Sequence, residues 1–135
     1  TRSVQDTNTF GQKICLNATQ EKIFECVNHY KKKFDIEVER ISQLDLLKYE
    51  TNEHKAGYKF HKDFGDKVPH RHLSISICLN NKYEGGEFIF KTDRGELTIP
   101  QNEGDAVIFP SNFMFPHQVN KVTKGTRYAL IGWVI

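Results

Sequence analysis

Three residues of this chain have the types and spacing to share one metal ion. His61 and Asp63 stand two apart in Tyr58-Lys59-Phe60-His61-Lys62-Asp63. In a strand, residues i and i+2 project from the same face, so an imidazole and a carboxylate reach the same point. Two exposed polar side chains would give the same pattern, so the pair alone decides nothing. A third group comes from Phe115-Pro116-His117, which follows the apolar run Ala106 to Phe109. Two neutral imidazoles and one carboxylate on one face of a metal leave three positions open, the donor set that suits Fe(II) taking a co-substrate and dioxygen. Arg127 lies further along. Its guanidinium offers a rigid fork to a carboxylate and stays charged when buried. Ala129, Ile131 and Trp133 alternate with it and share its parity, which predicts an inward face. Lys121 and Lys124 are the nearby cations that could serve in its place.

These residues need a scaffold, and the apolar pattern predicts one. From Asn17 to Phe34 the residues Ile23, Val27, Tyr30 and Phe34 recur at steps of three and four, the signature of an amphipathic helix capped by Asn17 or Thr19. Lys31, Lys32 and Lys33 fall in its last turn, where cations complement the helix dipole, so this basic run reads as a solvated terminus. After Asp35 the period changes. Short runs at Leu44 to Tyr49, Tyr58 to His61, Leu73 to Leu79, Glu87 to Phe90, Leu97 to Ile99, Ala106 to Phe109, Gln118 to Val122 and Tyr128 to Val134 read as strands. Gly85-Gly86, Asp93-Arg94-Gly95, Gly104-Asp105 and Lys124-Gly125 are the expected breaks between them. Closely spaced short strands predict a sandwich or barrel carrying one helix, not a parallel βαβ sheet.

Composition bounds the rest. The chain has 135 residues, 38% hydrophobic and 27% charged, which suits one domain, residues 1–135, with an ordinary core. Lys+Arg 19 against Asp+Glu 17 leaves a formal +2, and the signs alternate without a basic stripe, so nucleic acid is not indicated as a partner. The apolar run Tyr128 to Ile135 is far short of the roughly 20 residues that span a bilayer, so no membrane segment is expected. Cys15, Cys26 and Cys78 form no C-x-x-C and no even set, which favours a reducing, cytoplasmic setting over a disulfide framework or a zinc knuckle. Thr1 is preceded by no initiator methionine, so the N-terminal part is expected to be truncated.

With these residues in view, the chain resembles the 2-oxoglutarate and Fe(II)-dependent oxygenases, closest to the prolyl 4-hydroxylase-like group. The likeness runs from Leu44 to Val134. It includes Leu47-Lys48-Tyr49-Glu50, Gly57-Tyr58-Lys59-Phe60-His61, the strand ending Cys78-Leu79-Asn80, Tyr83-Glu84-Gly85-Gly86-Glu87-Phe88, and Gly104-Asp105-Ala106-Val107-Ile108-Phe109. The resemblance implies a mostly β fold, a double-stranded β-helix or jelly roll with a supporting N-terminal α-helix. It implies Fe(II) on His61, Asp63 and His117, and 2-oxoglutarate as co-substrate with its distal carboxylate on Arg127. Tyr58 or Tyr49 would be a second contact to that carboxylate, with Tyr58 preferred. Cys78 stands where some relatives place a polar or aromatic co-substrate contact, and a thiol is a poor donor. The implied reaction uses O2, hydroxylates an unactivated C–H, releases succinate and CO2, and draws on ascorbate as an accessory reductant. Peptidyl proline is the implied target, which makes a protein or peptide the partner. A free amino acid or other small molecule, and a binding module without turnover, are the alternatives. Trp133 stands where nucleobase-repair relatives carry a second arginine, which argues against them. Arg71 and His72, beside His70 in the loop after the candidate ligands, are expected to touch substrate, and Phe60, Phe88 and Tyr128 to keep water from the site.

Overall fold

A computed structural model describes residues 3–4, 10–42, 44–51 and 57–135, and of residues 3–4, 10–18 and 58 the backbone only. In chain order the elements are β1 (Ser3–Val4), α1 (Phe10–Phe34), β2 (Asp45–Glu50), β3 (Tyr58–His61), β4 (Leu73–Cys78), β5 (Tyr83–Gly85), β6 (Phe88–Thr92), β7 (Gly95–Ile99), β8 (Ala106–Pro110), β9 (His117–Val119) and β10 (Val122–Val134). All strand pairings are antiparallel. They form a large sheet in the order β1-β2-β10-β4-β8, with β5 also on β10, and a small sheet in the order β3-β9-β6-β7.

The large sheet is covered on both faces, and alternation along β4 shows why. Leu73, Ile75 and Ile77 point to one side and join Ile23 and Val27 of α1 with Leu130 and Val134 of β10 in one apolar cluster. The intervening Ser74, Ser76 and Cys78 are just as buried but face the other way, toward the small sheet. There a second cluster joins Leu47 and Tyr49 of β2, Phe88 and Phe90 of β6, Phe109 of β8, Val119 of β9 and Ala129 of β10. One apolar layer thus seats the helix, and the other lies between the sheets. The result is the jelly roll with a supporting helix that the pattern and the resemblance predict.

The run read as one strand from Gln118 to Val122 is split, since β9 ends at Val119 and Val122 opens β10, and three further differences have a physical reason. The helix starts at Phe10, so Asn17 and Thr19 lie inside it and cannot be its cap. The apolar stripe from Ile23 marks where the helix meets the sheet, while the backbone continues for more than two further turns on residues that carry no proline. Lys31, Lys32 and Lys33 do occupy the last turn. Second, Lys124-Gly125 does not end a strand, because β10 runs for 13 residues through a register irregularity between Val122 and Lys124. Gly125, at φ 75°, follows this irregularity and is itself paired with Tyr83, so the left-handed residue sits within the strand instead of closing a turn. β10 can therefore pair with β5 first and then with both β2 and β4. Third, Ser3–Val4 and Tyr83–Gly85 are strands too short for alternation to reveal. No helix among the described residues is long and apolar enough to cross a membrane.

Candidate metal centre and co-substrate pocket

His61 and His117 arrive from adjacent strands. β3 and β9 pair in the small sheet, and His61 and His117 are directly opposed. Their rings meet edge to face with centroids 4.2 Å apart. Asp63 follows two residues after His61, where β3 has ended. One ligand atom from each of the three lies within 4.8 Å of the others. His61 Nε2 is 3.3 Å from Asp63 Oδ1, and His117 Nε2 is 3.7 Å from Asp63 Oδ2.

Hydrogen bonds on the far side of each ring set its proton. His61 Nδ1 lies 2.8 Å from the Lys59 carbonyl oxygen and His117 Nδ1 lies 3.0 Å from that of Phe115. A carbonyl only accepts, so each Nδ1 carries an N–H, which leaves each Nε2 on the side of Asp63. This carbonyl–histidine arrangement is the one that holds imidazoles as metal donors. His117 is walled in: Phe88 stacks on it at 5.4 Å and Phe109 meets it edge-on at 4.7 Å. That burial pushes the His117 pKa down, against the Phe115 carbonyl and the Asp63 charge, which favour the protonated ring. Burial also works against an ionised Asp63. Contacts from His61 and the Ser74 hydroxyl, the nearby His117, and a contribution from the Trp133 indole outweigh it and take the carboxyl down to about 2. A neutral imidazole beside an ionised carboxylate is the state a divalent cation requires.

Ser74 explains the polar inner row of β4. Its hydroxyl donates to Asp63 Oδ2 at 2.6 Å and shares a contact of 2.8 Å with Ser111 Oγ. Arg71 completes this side. Its Nη1 donates to the Asp63 carbonyl oxygen at 3.4 Å, and its guanidinium carbon lies 3.6 Å from the centroid of the Trp133 ring. The Trp133 Nε1–H is buried without a hydrogen-bond partner. A cavity of about 270 Å³ opens here between the sheets, lined by the three candidate ligands together with Tyr49, Arg71, Ser74, Ser76, Phe88 and Trp133 among others. His72 does not line it. It is exposed and borders a groove on the helix side with Tyr30, Phe34 and Pro110. Phe60 and Tyr128 are also absent from the cavity wall.

Arg127 lies on the inner face of β10, as its parity with Ala129 and Ile131 requires, and it is 1% exposed. Nη2 donates to Gln101 Oε1 at 3.3 Å, while Nε and Nη1 are buried with no acceptor among the described residues. Burying a guanidinium is costly unless its donors are satisfied, so these atoms mark a place for an anion with several oxygens. Tyr49 connects this place to the cavity: it lines the cavity, and its ring centroid is 5.2 Å from the Arg127 guanidinium carbon. The Tyr58 backbone pairs with Val119, and its side chain lies outside the described residues. Cys78 is buried, 3.3 Å from the Tyr83 hydroxyl. Burial, and then the thiol, raise the Tyr83 pKa, with Arg127 opposing them. Lys121 and Lys124 are exposed. The donor set thus fits Fe(II), and the orphaned guanidinium nitrogens fit a dicarboxylic co-substrate.

Ser74, Ser111 and Gln101 escape the motif reading. A signal exists for Ser74 and Ser76, since serines alternate with large aliphatics in a strand whose two faces are both buried. Ser111 and Gln101 lie in loops and carry none.

Comparison with known proteins agrees with this geometry. A PKHD-type hydroxylase of Crocosphaera subtropica is 33% identical over 105 residues, which is 76% of this chain and 46% of that protein. A prolyl-4-hydroxylase of Pseudomonas putida superposes with a TM-score of 0.76 at 19% identity, covering 98% of this chain and 70% of the other. A Trichoplax adhaerens prolyl hydroxylase, solved with a peptide fragment of the hypoxia inducible factor oxygen degradation domain, superposes with a TM-score of 0.73 at 16% identity, covering 99% and 61%. The chain spans less than half the length of curated relatives it matches. The profile of the 2OG-Fe(II) oxygenase superfamily matches residues 44–135, every strand from β2 onward, and the chain belongs to that family.

Proposed function

We propose that the chain is a dioxygenase domain, residues 1–135, that uses Fe(II), 2-oxoglutarate and O2 to hydroxylate an unactivated C–H of a peptidyl proline, releasing succinate and CO2. The observation that carries this reading is the pairing of two features in one interior. His61, Asp63 and His117 bring one ligand atom each to within 4.8 Å of the others, and Arg127 is buried with two nitrogens that have no acceptor among the described residues. An Fe(II) ion on those donors would supply the oxygen chemistry, which no side chain of this chain provides. The protein's own part is placement. His61 and His117 are held by carbonyls, Asp63 by Ser74, and the distal carboxylate of the co-substrate falls to Arg127 with Tyr49 beside it. Phe88 and Phe109 exclude water around His117, which keeps a reactive centre from bulk solvent. Arg71, stacked on Trp133 at the other side of the cavity, is the residue placed to touch substrate.

The peptide target is supported by the prolyl hydroxylases that share the fold, one of them solved with a peptide. A cytoplasmic setting is in keeping with the free thiols of Cys26 and Cys78. The test is succinate formation from 2-oxoglutarate with Fe(II) and ascorbate, run against proline-rich peptides, free amino acids and oligonucleotides, with Asp63→Ala as the control. Turnover stimulated by the peptides and lost in Asp63→Ala is expected. Stimulation by amino acids alone would move the target to a small molecule. No turnover across the panel by protein that binds the metal would make this a binding module.

A further inference from the structure

The loop between β7 and β8 has no part in the metal centre, yet it delivers one side chain to Arg127. The loop is built on itself: the Asp105 carboxylate accepts from Asn102 N at 2.8 Å, and Asp105 N donates to the Asn102 carbonyl at 3.0 Å. It is also clipped to the end of β4. Gly104 N donates to the Cys78 carbonyl at 2.8 Å, and Cys78 N donates to that of Asp105 at 3.0 Å. Gly104 sits at φ 88°, a conformation that side-chain-bearing residues rarely adopt, so the turn depends on it. This frame fixes Gln101, whose two polar atoms are both engaged. Its Nε2 donates to the Ser76 carbonyl at 3.3 Å, and its Oε1 accepts from Arg127 Nη2 at 3.3 Å.

The chemistry of that acceptor matters more than its presence. An amide oxygen satisfies one donor without cancelling the charge. Arg127 is left fully cationic, with Nε and Nη1 unpaired in a site that excludes water. A carboxylate at the same place would satisfy the guanidinium from within and compete with any carboxylate arriving from outside. We propose that Gln101 is a positioning residue that holds Arg127 in its orientation while leaving its charge unmet, and so sets the preference of the pocket for 2-oxo acids bearing a second carboxylate. This rests on the reading of Arg127 as the partner of the distal carboxylate.

The experiment compares two ligands on the Fe(II)-loaded protein without oxygen, following the metal-to-ligand charge-transfer band. One is 2-oxoglutarate. The other is 2-oxovalerate, which has the same carbon chain and the same chelating end but no distal carboxylate. Gln101→Glu is expected to weaken 2-oxoglutarate more than about tenfold, because an internal anion now occupies Arg127, and to leave 2-oxovalerate within about twofold of the unaltered protein. Gln101→Ala is expected to weaken 2-oxoglutarate less than Gln101→Glu does, because it frees the guanidinium without opposing it. Arg127→Ala, run in parallel, should lose the discrimination between the two acids. If Arg127→Ala loses it while Gln101→Glu keeps full affinity for 2-oxoglutarate, the role of Gln101 is wrong and that of Arg127 stands. If both ligands weaken equally in both Gln101 variants, Gln101 is only structural and the proposal falls. If Arg127→Ala itself leaves 2-oxoglutarate unaffected, the reading of Arg127 falls first and this proposal with it.

Discussion

Asp63 shows what a motif conveys and what it leaves out. The spacing to His61 made the carboxylate visible as a candidate ligand on the premise of one continuous strand, but β3 ends at His61 and the segment after it brings Asp63 to the same point. That it would also be 11% exposed and bonded to Ser74 depends on a strand approaching from the other sheet, which no local pattern encodes. The network has a consequence for the metal-free protein. The Asp63 carboxyl is lowered from 3.8 to about 2, so the folded state prefers the ionised form, and the preference amounts to about 2 kcal/mol. The sign follows from the direction: this stability is fully present above pH 3.8 and is lost as pH falls toward 2. Acid unfolding of metal-free protein and of Asp63→Asn, followed by circular dichroism between pH 5 and 2, should therefore converge, with the unaltered protein losing about 2 kcal/mol more over that window. Parallel curves would remove Asp63 from the network. The inward position of Arg127 was legible for the opposite reason, since Ala129, Ile131 and Trp133 alternate with it and parity suffices. Between the tyrosines the sequence reading preferred Tyr58, whose side chain lies outside the described residues, while Tyr49 is the one seen beside Arg127.

Among the elements, β3 is the one whose placement the site needs most and whose attachment is least regular. It pairs with β9 through Tyr58 and His61 only, with an irregularity between them. Gly57, just before its first residue, lies close against the end of β9 and the residues that follow it. A Cβ there would lie 2.7 Å from the Val119 carbonyl oxygen and 2.9 Å from Lys121 N, both backbone atoms that cannot turn aside. Gly57→Ala should push β3 off β9, carrying His61 away from His117. We expect a loss of about 1–3 kcal/mol in stability and weaker metal binding, measured by denaturant unfolding of metal-free protein and by metal titration. An unchanged metal affinity would show that His61 is positioned by its own loop and not by the sheet. The strands themselves were largely legible, since the runs from Leu44 onward were dense in β-branched and aromatic residues and most of their boundaries fell within two residues. The helix was half hidden, because its first turns lie outside the apolar stripe that gives it away. β10 was divided in two, because a glycine within a strand reads like a glycine in a turn.

Across the whole molecule the large sheet works as a partition. On one side it carries α1 over an apolar layer with no chemistry. On the other it presents Ser74, Ser76, Arg127 and Trp133 to the space it shares with the small sheet. The partition runs through single strands: within β4 and β10, successive residues belong alternately to the scaffold and to the site. The two-sided burial was legible only as a run of apolar residues, and the serines within it acquire meaning once the second sheet is in place. One inward residue has a use of its own. Trp133 is the sole tryptophan of the chain, and it lies against Arg71 on the wall of the cavity that holds His61, Asp63 and His117. Excited where tyrosine does not absorb, this chain therefore emits from a single indole beside the candidate metal centre, and no dye is needed to watch a metal enter it. Titrating Co(II) into metal-free protein should quench the emission along a saturable curve, and the same titration of Asp63→Ala should leave it nearly flat.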